Sequence, residues 1–118
     1  TRSFCFVDDL IEGIFKLLYS DYSGPVNLGN PDEVSILEFA KEVIKLTGTK
    51  QKIIFKDLPK DDPTQRQPDV SKALELLKWS PKITRHVGLM KTYHAFQKLS
   101  PDELNKQEHR TFKKFSKN

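Results

Sequence analysis

The sequence has 118 residues, with 20 Lys and Arg against 16 Asp and Glu and a formal net charge of +4. That is one domain at most. Its 36% apolar and 31% charged residues predict a thin core, that of a lobe leaning on something else. No apolar run approaches the roughly 20 residues needed to span a bilayer, and no signal-peptide pattern opens the chain. No basic stripe interleaved with aromatics points to nucleic acid. The modest basic excess fits an anionic ligand and fits plain solubility. The single cysteine, Cys5, allows no internal disulfide and points to a reducing, cytoplasmic compartment. Among Phe4, Phe6 and Val7 it reads as a small buried apolar residue rather than a nucleophile. The opening Thr1-Arg2-Ser3-Phe4, without an initiator Met and straight into an apolar run, is what a segment of a longer chain would show.

Phe4 to Val7 is aromatic and apolar, and Asp8-Asp9 suits a helix N-terminus, where the dipole favours negative charge. Leu10, Ile11, Ile14, Phe15, Leu17 and Leu18 then recur at helical spacing up to about Tyr19 or Ser20. Asp21 to Pro25 reads as a turn. Val26 to Gly29 reads as a short strand, broken by Asn30-Pro31-Asp32-Glu33. Ser35 with Glu38 three residues later is a capping box, and Gly48 sits where the following helix should be capped. Ile53-Ile54-Phe55 reads as a second strand. Strand, helix and strand of these lengths predict a parallel βαβ unit with a right-handed crossover, hence an α/β fold.

Leu58 to Pro68 has three prolines, several charges and no periodicity, so it is a loop. Asp69 should cap a helix carrying Val70, Ala73, Leu74, Leu76 and Leu77, which Trp79-Ser80-Pro81 ends. Another helix runs from Thr84 or Val87 to Lys98, with Leu89, Met90, Tyr93 and Phe96 on one side. Ser100-Pro101-Asp102-Glu103 is a strong helix start. The division expected is a lobe over residues 1–98 and a charged helical extension over residues 99–118, anchored by Leu104, Phe112 and Phe115.

The five glycines are scattered, so no dinucleotide-binding glycine loop can be built. No Tyr is followed four residues later by Lys; after Tyr93 that position is Gln97. His86, His94 and His109 are not at metal-ligand spacing with one another or with Cys5. The stretch of most chemical interest is Asp61 to Asp69. Arg66 stands there in a loop flanked by prolines, which lower the order that must be supplied on binding. Its guanidinium offers a planar fork that matches a phosphate at two points. Asp61 and Asp62 could accept from ribose hydroxyls or hold Arg66 in place. On the residues alone, a solvated loop with a surface ion pair is the favoured reading. Arg2, just before the apolar run, is the second candidate, against that of a polar terminal residue. Asn27 fits the satisfaction of backbone groups, and Trp79 and the aromatics of the last helices fit a core.

Thr1 to Leu10, Gly24 to Pro31, Asp61 to Ala73 and Trp79 to Lys82 follow one another in an order and spacing that resembles the extended short-chain dehydrogenase/reductases, the NAD-dependent epimerase/dehydratase family. Within it the pattern is most similar to the UDP-glucuronate decarboxylases. The dTDP-glucose 4,6-dehydratases share the outline and usually differ around Asp61 to Asp69. The resemblance covers about residues 1–98 and implies the C-terminal, substrate-binding lobe. In the whole enzyme it implies that an N-terminal Rossmann domain holds NAD and a tyrosine-lysine pair, which convert UDP-glucuronate to UDP-xylose and carbon dioxide. Those reacting groups are not in this chain, so no catalytic residue and no cofactor contact is expected here. The resemblance implies Arg2 and Arg66 near the diphosphate, and Asp62 by the ribose or orienting the loop. It implies a UDP-sugar as the partner, a homodimeric parent, and neither nucleic acid nor membrane. Apolar residues facing the Rossmann domain, including Phe4 and Phe6, should be exposed. Arg85 and His86 stand where many members carry acidic residues, a change expected to affect surface charge only.

Overall fold

A computed structural model of the chain describes residues 1–103. Its elements are β1 (Arg2–Ser3), α1 (Val7–Leu18), β2 (Glu33–Val34), α2 (Ile36–Thr47), α3 (Ser71–Leu77) and α4 (Arg85–Gln97). A further helical turn opens at Pro101, where Ser100 and Glu103 form a reciprocal cap. The expected anchors Leu104, Phe112 and Phe115, and most of the expected extension, lie outside the described residues.

α2 and α4 begin at side-chain caps, whereas Phe6 and Val70, ahead of α1 and α3, give none. Ser35 and Glu38 form the capping box of α2, and Gly48 closes that helix in the left-handed region at φ 65°. The Thr84 hydroxyl accepts from the Val87 amide and starts α4. Asp69 accepts from the Ser71 amide at 2.9 Å, one residue ahead of the Val70 that bounds α3. These side chains satisfy donors that the first turn of a helix leaves free.

The α/β class holds, but its sheet differs from the expected one. The two strands of the described residues are β1 and β2, and they are antiparallel, with Arg2 opposite Val34 and Ser3 opposite Glu33. No parallel βαβ unit forms among the described residues. Val26 to Gly29 has no ladder; Val26 and Leu28 pack instead on the cluster of Ala73, Leu77 and Trp79. Beside this segment runs Pro68, whose ring would meet a side chain at Gly29 at 2.9 Å and whose nitrogen has no proton to give a ladder. Ile54 and Phe55 are 73% and 79% exposed, with neither a neighbouring strand nor a core to use their β-branched and aromatic character.

The interior is small. Trp79 is its largest buried side chain, and its indole donates to the Asp9 carbonyl at 3.0 Å. The Asp9 carboxylate is itself buried and accepts from the amides of Lys82 and Ile83 at 3.0 and 2.8 Å. The acidic pair at the start of α1 is therefore divided. Asp8 is exposed, while Asp9 fastens the turn that leads from α3 to α4.

The expected exposure of Phe4 and Phe6 is not found. Phe4 stacks on Phe39 with ring centroids 4.0 Å apart, and Phe6 packs against Gly88 with the Lys91 ammonium over its ring. Exposed apolar surface lies on α1 instead, at Val7, Ile11, Ile14, Phe15, Leu18 and Tyr19. That spacing is one helical face. Phe96, expected in a core, is 48% exposed.

Arg85 does more than alter surface charge. Its guanidinium reaches Asp32 at 2.6 Å and both oxygens of Glu42 at 3.1 and 2.9 Å, tying α4 to α2 and to the loop before β2. The hydrogen bond from Arg85 is the main cause holding the Glu42 carboxyl below its ordinary range. His86 and His94 are exposed on the same helix.

Candidate functional site

The loop before α3 has no secondary structure, yet part of it is fastened to the small sheet. Thr1 N donates to the Thr64 carbonyl at 2.6 Å, and Ser3 Oγ donates to the Arg66 carbonyl at 3.2 Å. From the other strand, Glu33 accepts from Gln65 at 3.1 Å, and the Pro31 carbonyl just before that strand accepts from Gln67 at 3.0 Å. Hydrogen bonds from Thr1, first, and then from Gln65 keep the Glu33 carboxyl ionised to lower pH than an ordinary glutamate. A chain with no periodicity is thus held by groups about thirty and sixty residues away.

Arg2 and Asp62 meet. Arg2 Nη2 donates to both carboxylate oxygens at 3.0 Å, and Nη1 donates to the Thr1 carbonyl at 2.8 Å. The pair is half-buried, with side chains 24% and 38% exposed. Asp62 therefore holds Arg2 and not Arg66. Ahead of it, the Asp62 amide donates to the Pro59 carbonyl at 3.2 Å, and Asp61 takes the left-handed region at φ 73°. Aspartate tolerates that region better than most residues, and the turn brings Asp62 up to Arg2.

Arg66 is separate from this pair. Its backbone is fixed through its own carbonyl and through the side chains of both neighbours, while its guanidinium is exposed and makes no hydrogen bond or ion pair among the described residues. It lines an open cleft of about 310 Å³ with Ser3, Asn27, Gln67 and Pro68. Asn27 donates to the Asp69 carbonyl at 3.3 Å, the backbone role its polarity predicts, and also forms a wall of the cleft. The chemistry is simple. A cation fixed at its root and free at its tip can take an anion without first breaking a pair. Arg2, Asp62 and Arg66 stand out in the sequence, whereas Ser3, Gln65 and Gln67 show their part only in the structure. Two glutamines bracketing an arginine were the available signal.

A larger groove of about 480 Å³ lies beside α2, lined by Glu33, Glu38, Lys41, Glu42, Lys45 and Arg85. Its charges alternate in sign, and Arg85 is already paired with Asp32 and Glu42. An anion there would have to displace carboxylates, so the smaller cleft at Arg66 is the better anion site. Cys5 lines a third, apolar cavity of about 190 Å³ with Phe4, Phe6, Phe39 and Leu89. Burial, and after it the charge of Asp9, pushes its thiol above the ordinary value.

A dinucleotide is bound by a glycine-rich turn at a helix N-terminus. The helices here are preceded by Phe6, Ser35, Val70 and Thr84. None of these four residues is a glycine. No group of three His, Cys, Asp or Glu among them is placed to hold a metal ion, and no helix among them is long and apolar enough to cross a membrane.

No family model matches the sequence. Solved structures and curated sequences do. UDP-glucuronic acid 4-epimerase from Bacillus cereus, solved with UDP-4-deoxy-4-fluoro-glucuronic acid and NAD, superposes with a TM-score of 0.75 at 28% identity, over 84% of this chain and 32% of that one. The chain matches the C-terminal part of the epimerase/dehydratase fold of the extended short-chain dehydrogenase/reductases. Its sequence relatives are UDP-glucuronic acid decarboxylases. UDP-glucuronic acid decarboxylase 1 of Xenopus tropicalis is 44% identical over 91% of this chain, and UDP-glucuronic acid decarboxylase 4 of Arabidopsis thaliana is 48% identical over 75% of it. The chain spans 25% and 20% of the length of these two relatives.

Proposed function

We propose that this chain is the sugar-nucleotide-binding wall of an NAD-dependent UDP-glucuronate decarboxylase, which converts UDP-glucuronate to UDP-xylose and carbon dioxide. The observation that carries the reading is the Arg66 guanidinium, exposed and unpaired among the described residues, on a loop fixed on both sides of it. In this reading Arg66 takes the diphosphate, Arg2 adds positive charge beside it, and Asp62, paired with Arg2, orients the loop. The identity to decarboxylases over most of the chain supports the choice of substrate. NAD and the reacting groups belong to residues outside this chain, the parent is a homodimer, and the setting is cytoplasmic.

The test is Arg66→Ala in the enzyme that carries this segment. The expected result is a KM for UDP-glucuronate raised about tenfold or more, the loss of one charge-assisted contact, with kcat little changed because the contact serves substrate and transition state alike. An unchanged KM would contradict the reading.

A second reading, a UDP-glucuronate 4-epimerase, is favoured by the fold match to the epimerase. Product analysis separates the two: carbon dioxide and a pentose product from the decarboxylase, a hexuronate and no carbon dioxide from the epimerase.

A further inference from the structure

We propose that Asp62 is a positioning residue: by pairing with Arg2 it fixes the loop that presents Arg66 to an anionic ligand, and it does not itself touch that ligand. The inference rests on the reading of the Arg66 cleft as a nucleotide site and deepens it.

Three observations carry it. First, both Asp62 oxygens are engaged by one Arg2 nitrogen at 3.0 Å. A carboxylate so used is turned toward β1, while Ser3, Asn27, Arg66, Gln67 and Pro68 form the cleft wall without it. Second, the Arg2–Asp62 contact is the first tie of the loop to the sheet in chain order. Residues 50–61 make no long-range hydrogen bond among the described residues, and from Asp62 onward Thr64, Gln65, Arg66 and Gln67 are each tied to β1, to β2 or to the residues flanking them. Asp62 thus marks the boundary between free and fastened chain. Third, the pair is half-buried, the setting in which an ion pair is less screened than at an open surface.

The proposal has an unusual sign, which makes it easy to overturn. Asp62 is a negative charge close to a site for an anion. If it acted only through its field, neutralising it would strengthen ligand binding. If it positions the loop, neutralising it weakens binding, because the ligand must then order the chain itself.

The experiment compares the parent chain with Asp62→Asn, Asp62→Glu and a control, Asp57→Asn, which removes an equal charge from the free stretch. UDP is titrated by calorimetry, and backbone order parameters of Thr64 to Gln67 are measured by nuclear magnetic resonance without ligand. The expected outcome for Asp62→Asn is a Kd for UDP raised about fivefold to tenfold and order parameters falling from near ~0.85 toward ~0.6. Asp62→Glu should recover part of both, and Asp57→Asn should change neither. The cost of Arg66→Ala should also shrink in the Asp62→Asn background, as coupled residues require. Tighter UDP binding by Asp62→Asn, or unchanged order in the loop, overturns the proposal. If the parent chain takes up no UDP while Asp62→Asn still loosens the loop, the nucleotide reading fails and the tether itself stands.

Discussion

Residues 50–61 and residues 62–68 form one continuous stretch without helix or strand, the first with Pro59 and the second with Pro63 and Pro68. Their states differ. The first part leaves Ile54, Phe55 and Leu58 largely exposed, and apart from local turns it is not hydrogen-bonded among the described residues. The second is tied at Asp62, Thr64, Gln65, Arg66 and Gln67. Composition would rank them the other way, since Ile53, Ile54, Phe55 and Leu58 all lie in the first part. Order in an irregular segment comes from whether its carbonyls and side chains find partners elsewhere, and here the partners are the three residues that open the chain and the turn into β2. The tied half holds the backbone of Arg66 in place.

The comparison can be broken most severely from behind. The tied half runs into Val70, which packs on the Trp79 cluster. Trp79→Ala should cost about 3–5 kcal/mol of unfolding free energy, read by denaturant titration, and should loosen both halves at once. Asp9→Ala comes next. It leaves the amides of Lys82 and Ile83 without their acceptor, at about 1–3 kcal/mol, and should disturb the turn into α4 while sparing the order of residues 64–67.

Arg85→Ala should cost about 1 kcal/mol, given its partly exposed partners, and its effect should depend on pH. The Glu42 carboxyl is depressed in the folded chain, chiefly by its hydrogen bond from Arg85. Its contribution is therefore complete above the ordinary glutamate value and lost as pH falls through the folded one. The stability gap between the parent chain and Arg85→Ala should be flat near neutrality and close below roughly pH 4. A gap that widens in acid would contradict the assignment. Cys5 gives a chemical readout of the region beneath α4. Because burial and Asp9 raise its pKa, alkylation at neutral pH should be slower than for a free thiol and should catch up on unfolding. The smallest effect is expected in the free half: Ile54→Ser and Phe55→Ser should each change stability by within about 0.5 kcal/mol.

Much of this was legible in the sequence, for identifiable reasons. The helices were readable because their evidence is local: Ser35 and Glu38, Gly48, Thr84 and Ser100 declare ends, and the apolar period declares faces. Arg66 stood out by its chemistry and its prolines, and its exposed guanidinium on a fastened backbone agrees with that choice without testing it. The sheet was not. Val26 to Gly29 has a strand's residues but packs them against Trp79, whereas Arg2–Ser3 and Glu33–Val34 pair with little strand character of their own. Arg85 was misjudged because its partners, Asp32 and Glu42, lie on another helix and a distant loop. The Arg2–Asp62 pair spans sixty residues, and nothing local in either residue predicts it.

The central claim, that the tied half of the loop presents Arg66 to a sugar nucleotide, is tested most directly by titrating UDP-glucuronate into the isotopically labelled chain. The account predicts saturable shifts at Ser3, Asn27 and Arg66 to Pro68, lost in Arg66→Ala. Shifts confined to the groove of Lys41, Lys45 and Arg85, or equal shifts in Arg66→Ala, would contradict it.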